Sequence, residues 1–496
     1  MARKLVNIPL NRVEGDLEIR IAIEGKVVVD AWACGTLYRG FENLLVGRGA
    51  MDALVVTPRL CGICSTSHLL AAARTLDMAS GATVPDNGNR LRDLGLMAEQ
   101  VQSDVRQSLL MFMPDFAGAA HGKRRWHAEA VGRYAPLNGS AVVEAIKATR
   151  TIVEIVAVLG GQWPHSSWMV PGGVTFTPMP SDLLTCRIVL AEFRRWYEDR
   201  VLGCPLSRWS EIGSAADLDA WLAEDKTHRQ GDVGRLLCYG RDVGLDRIGR
   251  AHDRYLSFGA PGSAVPAGFV DGGLVEPFDQ ALVTEDVSHA WYADDEGPRH
   301  PGDGVTRPAR TDGGYSWAKA PRYRGLPAET GPLAEAVIAG IPLFRDLVSN
   351  GGASALTRQL ARLTRPVVTL RLMEELFAQL TEVAQGSGYV VPPPIGDGTA
   401  YGLIQAPRGA LGHWARFEGG QIASYQIVPP TAWHASPRDA AGVRGPWEQA
   451  LIGVPVPDPA DPVMVGHVVR SFDPCLVCTV HSVARGNSLA HVRLLV

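Results

Sequence analysis

Arg59-Leu60-Cys61-Gly62-Ile63-Cys64-Ser65-Thr66-Ser67-His68 near one end of the chain and Asp473-Pro474-Cys475-Leu476-Val477-Cys478-Thr479-Val480-His481 near the other decide how this sequence is read. Each stretch holds a Cys-x-x-Cys pair followed by a His. Two residues of spacing let the chain curl around one ion and aim two thiolates at it. Two such pairs offer four soft ligands, which select zinc, iron–sulfur or nickel over hard cations. Redox dithiols use the same spacing. A zinc ribbon sets its pairs about 15–20 residues apart, whereas 410 residues separate Cys64 from Cys475. A site closing over that gap joins the two ends of the fold, which favours a shared metal centre over a small structural zinc site.

The remainder is the sequence of a large globular chain. Of its 496 residues, 46% are hydrophobic and 20% charged, enough for a sizeable core and too apolar for a disordered chain. The net charge of −4 gives no electrostatic case for nucleic acid or an anionic membrane. No apolar run reaches the ~18 residues of a membrane span. The first residues, Met1-Ala2-Arg3-Lys4-Leu5-Val6, lack the apolar core of a secretory signal, which favours the cytoplasm. A subunit exported on a partner's signal would look the same. Cys34, Cys186, Cys204 and Cys238 stand alone and read as small buried hydrophobes.

Working outward, residues 4–33 alternate, with Leu17, Ile19 and Ile21 on one face, and predict a strand hairpin around Glu24-Gly25. Helical spacing runs over 91–113, ended by Pro114, and over 140–159. Ser181 is expected to cap a helix reaching about Arg200. A further helix is expected over 354–384, interrupted at Pro366, with Gly386 just past its end. Between about 258 and 332 the chain predicts loops and short strands, and 415–428 a hairpin turning at Gly419-Gly420. The fold class expected is α+β, mostly helical, with a long-helix core and small peripheral sheets, forming one unit over 1–496 whose end motifs meet.

Both cysteine segments resemble the signature motifs of the large subunit of nickel–iron hydrogenases, Arg-x-Cys-Gly-x-Cys-x-x-x-His and Asp-Pro-Cys-x-x-Cys-x-x-His. Arg12-Val13-Glu14-Gly15, Arg39-Gly40-Phe41-Glu42, Ala406-Pro407-Arg408-Gly409-Ala410 and Tyr425-Gln426-Ile427-Val428-Pro429 are similar to further motifs of that family, in the same order. Departures are Asp16, where the family often has His, Gln405, where it usually has Glu, and Leu110–Asp115, which lacks the histidines of periplasmic members. Gly161-Gln162-Trp163-Pro164-His165 resembles the cytoplasmic uptake and hydrogen-sensing branches.

The resemblance implies the following roles. Nickel is held by Cys61 and Cys475 as terminal thiolates and by Cys64 and Cys478 as bridges to an iron carrying cyanide and carbon monoxide. Glu14 takes the proton released from H2. Arg408 lies over the open face of the metals, with Asp115 and Asp473 as its carboxylates. Thr431 and Pro407 serve the cyanides, and His68 lies near the bridging thiolates. Glu42, the Ile427 carbonyl and His481 hold magnesium, or iron in its place. His165 approaches a cluster in an iron–sulfur small subunit, which must carry the electrons because this chain has no cysteines to spare. The resemblance also implies a maturation protease and nickel-insertion factors, with residues 482–496 after His481 as a cleavable extension. The activity implied is oxidation of H2 to protons and electrons. Two alternatives stand beside it: a regulatory hydrogen sensor with the same centre signalling to a kinase, and a structural zinc protein. Ile63, Met111 and Phe112 are bulky residues expected where the family's gas channel narrows.

Overall fold

The computed structural model describes residues 3–13, 15, 17–259, 265–293, 297–382 and 387–475. The fold is α+β and mostly helical, with small antiparallel sheets around a helical core. Lys4–Pro9 (β1), Leu17–Glu24 (β2) and Val27–Gly35 (β3) form a meander. Ile19 and Ile21 on β2 are fully buried, as the alternation requires. Gly25 and Lys26 join β2 to β3 with φ of 59° and 68°, the left-handed pair that a tight hairpin needs.

Ser65–Ser80 (α1) is the central helix. Its run Leu69, Leu70, Ala71, Ala72, Ala73 is wholly buried, so the helix has no solvent face over that stretch. Small side chains there let other backbones come close. Asp86–Arg106 (α2) packs along α1, and its expected continuation to Pro114 changes character. Gln107–Phe112 widens into a π-helical turn and Met113–Ala117 tightens into a 3₁₀ turn. The helical spacing over 140–159 is two helices, Ser140–Ile152 (α3) and Glu154–Gly160, separated at Val153. Pro180–Trp196 (α4) begins one residue before the expected cap. Ser181 is therefore not the cap. The Asp182 carboxylate accepts from the Met179 N–H at 2.8 Å and closes the helix start instead, and Pro180 sits where a missing N–H costs nothing.

The long C-terminal helical region is Ala355–Thr364 (α5) followed by Pro366–Glu382 (α6). Ser354 caps α5, its hydroxyl accepting from the Thr357 N–H at 3.1 Å. Gly386 lies outside the described residues. Gly398–Ala406 (β4), Gly409–Glu418 (β5) and Gln421–Val428 (β6) form the sheet laid on α1. Only its last hairpin was anticipated. Val463–Ser471 (α7) then leads back to the second cysteine segment. No helix among the described residues is long and apolar enough to cross a membrane. Of the four lone cysteines, Cys34, Cys186 and Cys204 are buried, whereas Cys238 is exposed, contrary to expectation.

The seam between β4 and α1 is tight at Gly402. A Cβ there would lie 2.0 Å from the Ala71 carbonyl oxygen and 2.7 Å from the Thr75 nitrogen. Gly402→Ala should destabilise the fold by about 1–3 kcal/mol, the usual cost of overpacking. Gly132→Ala, in a helix where the new Cβ meets nothing within 4 Å, should be neutral or stabilising. Urea midpoints of the two variants against the parent measure the difference, and equal midpoints would contradict the close approach.

Candidate metal centre

The Cys61–Cys64 segment is a loop that delivers Cys64 to the N-terminus of α1. Arg39 braces it, its guanidinium donating to the Leu60 carbonyl at 2.6 Å. The Cys475 segment arrives from α7 through Asp473, whose φ of 58° turns the chain sharply. Asp is among the few residues that tolerate this conformation. The Cys61 and Cys475 sulfurs lie 3.5 Å apart, and those of Cys61, Cys64 and Cys475 all fall within 4.8 Å of one another. All three are buried, with Ile63 packed against them. Two cysteines and one more, 411 or more positions away, thus converge on a single point. Cys478, His481 and Glu14 lie outside the described residues, as does the extension 482–496.

Three polar groups bear directly on this cluster. The Ile63 N–H points at the Cys61 sulfur at 3.3 Å, and the Thr431 hydroxyl accepts from the Cys475 N–H at 3.1 Å. Arg408 is 5% exposed, and its Nε is 3.2 Å from the Asp473 carboxylate. Burial works against its charge, but Asp473 and the thiols of Cys475, Cys64 and Cys61 outweigh that and hold its pKa well above the ordinary value. A cavity of about 110 Å³ adjoins this arginine, lined by Ile63, Met111, Arg12, Arg408 and Asp473 among others. Phe112 does not line it and packs instead against Phe116 and His467.

Asp115 is not the carboxylate beside Arg408. It pairs with Arg12 and, at 2.7 Å, with Arg470. The π turn after α2 carries it off the helix that faces Arg408. Asp104, still on α2, takes that side. It binds Arg365 at 2.7 Å and Arg362 at 3.3 Å, and Arg362 reaches Asp473 at 3.1 Å. Arg362 and Arg365 also donate to the Pro407 carbonyl, at 3.2 and 2.7 Å. Arg365 continues to Glu335 at 2.8 Å, to which Gln405 donates at 3.0 Å. Gln405, a departure from the family pattern, thus lies beside a buried carboxylate supplied from elsewhere.

His68 lies one turn into α1, and burial pushes its pKa down to about 4. Its Nδ1 is 3.1 Å from His413 Nε2. Behind the start of α1, the buried Glu99 carboxyl accepts from the Thr66 and Ser67 N–H groups at 2.8 and 2.9 Å, and burial raises its pKa above the ordinary carboxylate range. His165 is half-buried beside the same turn, its backbone N–H donating to the Ser65 hydroxyl at 3.2 Å. Glu42 is buried at a separate place. It accepts from the Ile427 N–H at 3.0 Å, from Thr306, and from Lys319 at 3.1 Å. Lys319 also meets Glu285 at 3.3 Å, whose pKa burial raises to about 7 despite that ammonium.

Sequence reading missed Glu99, Asp104, Arg362, Arg365, Lys319 and His413. None of them belongs to a spaced motif, and several sit on helices that carry other polar residues. The available signal was a charge recurring on a buried helix face, as Glu99 and Asp104 do on α2.

A family model described as nickel-dependent hydrogenase matches residues 39–109 and 135–481. The chain is 32% identical to the periplasmic [NiFeSe] hydrogenase large subunit of Desulfomicrobium baculatum, over 98% of this chain and 96% of that one. It is 26% identical to the hydrogenase-2 large chain of Escherichia coli over the whole of both. Among solved structures it resembles the Desulfomicrobium baculatum [NiFeSe] hydrogenase, with a TM-score of 0.84 and 30% identity, covering 97% of this chain and 100% of that one.

His434 and His467 are fully buried, and burial pushes both down to about 3. The unfolded chain takes up these protons near pH 6.5 and the folded chain refuses them until about pH 3. Stability is therefore complete above about pH 6.5 and falls as pH drops, by up to roughly 1.4 kcal/mol per pH unit per histidine. His467→Leu should flatten the decline of the urea midpoint between pH 6.5 and 4.5, and an unchanged slope would show that His467 takes no part in it.

Proposed function

The chain belongs to the nickel-dependent hydrogenase family, and we propose that it is the catalytic large subunit of a nickel–iron hydrogenase, oxidising H2 to protons and electrons that pass to an iron–sulfur small subunit. The observation that carries this reading is the convergence of Cys61, Cys64 and Cys475 in a buried point beneath Arg408. The donor set fits the group it would hold, because clustered thiolates suit nickel and iron and exclude hard cations. Cys61 and Cys475 would hold nickel, and Cys64 and Cys478 would be shared with an iron bearing cyanide and carbon monoxide. When bound, this pair of metals supplies the polarisation and electron capacity that split H2.

The protein's own part is to hold and clear charge. Arg408 balances the thiolates and, kept in place by Asp473, leaves a small cavity open beside them. A fixed cation in a dry site acts without reorganising. Thr431 and Pro407 would serve the cyanides. The Glu14 carboxylate accepts the released proton, the acid–base role that needs a group within hydrogen-bond reach. The relatives named [NiFeSe] carry selenium by name, whereas all four candidate positions here are cysteine. Magnesium would be held by Glu42, the Ile427 carbonyl and His481. The oxygens gathered around Glu42 suit a hard cation, and the Lys319 ammonium lies among them.

The hydrogen-sensing branch is the second reading. Ile63 and Met111 both line the cavity beside Arg408, so bulk stands where gas would approach. A cytoplasmic location is proposed for either reading, while the Desulfomicrobium relative is by name periplasmic. His165, half-buried beside the α1 turn, is the group proposed to face the small subunit's cluster.

Metal analysis and infrared spectra of the purified heterodimer test the central proposal. Nickel, iron and cyanide and carbonyl bands are expected, and zinc alone would reject it. Cys475→Ser should lose nickel, since an alkoxide is a harder donor. Cys186→Ser, buried elsewhere, should keep nickel and activity. Equal nickel in both would overturn the ligand assignment.

Cleavage after His481 by a maturation protease, following nickel insertion, is proposed for the extension 482–496. The intact mass of the nickel-loaded subunit, taken separately from cytoplasmic and periplasmic fractions, tests processing and location together. Loss of the last 15 residues only in nickel-replete protein is expected. An active chain ending at Val496 would reject processing.

A further inference from the structure

A file of hydrogen-bonded side chains runs from His68, one turn beyond Cys64, into the sheet on α1. His68 carries the first ring, and its backbone N–H donates to the Cys64 carbonyl at 3.2 Å. Its Nδ1 lies 3.1 Å from Nε2 of His413 on β5. Nδ1 of His413 lies 2.9 Å from the hydroxyl of Tyr425 on β6. That hydroxyl lies beside Thr75, whose own proton is committed to the Ala71 carbonyl at 2.9 Å. His68, Thr75, His413 and Tyr425 are all buried. Three elements thus align four polar groups, the successive rings within direct hydrogen-bond distance of one another.

A neutral imidazole has one donor and one acceptor nitrogen, so the file can be protonated in either of two directions. In one, Tyr425 donates to His413 Nδ1, His413 Nε2–H donates to His68 Nδ1, and His68 presents Nε2–H to the cluster. In the other, every bond reverses and His68 turns a lone pair towards sulfur. A lone pair facing thiolates in a dry site is repulsive, whereas a donor there makes a charge-assisted bond. The thiolates therefore select the first direction. Burial keeps the Tyr425 phenol protonated by raising its pKa, so the file ends on a donor that needs no further proton source.

Resting on the hydrogenase reading above, we propose that His413 and Tyr425 are positioning residues that fix His68 as the tautomer donating Nε2–H towards the metal-binding thiolates. Neither touches the cluster; they act through His68. A donor on a thiolate withdraws electron density from it and so tunes the metals it binds.

The test uses the metal-loaded heterodimer. His413→Leu removes the donor to His68, while His413→Gln returns an amide N–H near the place of Nε2. His413→Leu should keep nickel, shift the cyanide and carbonyl infrared bands, and lower H2 oxidation roughly 10- to 100-fold, the range for groups that orient metal ligands. His413→Gln should restore most of the band positions and activity. Tyr425→Phe, which removes only a hydroxyl, should shift the bands in the same sense, and it carries the test if His413→Leu does not fold. Bands at parental positions in His413→Leu and Tyr425→Phe would overturn the proposal, as would equal impairment in Leu and Gln, which marks a packing role. A parent protein without cyanide and carbonyl bands would instead sink the hydrogenase reading, and this proposal with it.

Discussion

Three guanidiniums and three carboxylates alternate through the interior beside the cysteine cluster: Arg408, Asp473, Arg362, Asp104, Arg365 and Glu335. Every other feature of the centre depends on this ladder. Thiolates bring negative charge into a region from which water is excluded, and Arg408 adds a fixed positive charge beside whatever metals they bind. A lone buried guanidinium is itself untenable. Each member is stabilised by the next until the charges balance. Removing Asp473 takes from Arg408 the carboxylate at 3.2 Å, a loss of about 3–5 kcal/mol. The ladder also joins α2, α5, the β4–β5 turn and the C-terminal segment, so the geometry of the centre and the packing of the fold are one constraint.

The helix that carries Cys64 is held by the same logic with different chemistry. Its N-terminal amides point at the buried Glu99 carboxylate, which neutralises orphan donors where no solvent can. Its small residues admit β4 at Gly402, and that contact sets the height of the sheet above the helix. The sheet in turn fixes how far His413 and Tyr425 stand from His68. Loose packing at one glycine would therefore be felt at the metal-binding face of the helix.

How much of this was legible in the sequence depended on whether a feature had a local period or motif. The cysteine segments and the arginine and glutamate motifs around Arg39 and Arg408 were legible, because metal chemistry demands fixed spacings. The β2–β3 hairpin and the helices α3, α5 and α6 were legible from apolar period. The partner of Arg408 was only half legible. Asp473 stands next to a ligand and could be named, but Asp104 meets it through Arg362, and no spacing relates residues 104, 362 and 473. Asp115 was placed beside Arg408 by motif resemblance, and no motif spacing distinguishes it from Asp104, one helix stretch earlier. The strand β4 was missed because its Gly402 and closely packed small residues weaken the strand signal where the structure most needs closeness.

The meeting of Cys61 and Cys475 across 414 positions also orders events in time. At about 5–20 residues per second of synthesis, the first cysteine pair leaves the ribosome roughly 20–80 seconds before the partner it must meet. During that interval α1 and its carboxylate cap can form, but half of the ligand set does not yet exist. Closure of the centre is thus one of the last tertiary events available to the chain, and whatever loads it must act on a molecule whose body is already built.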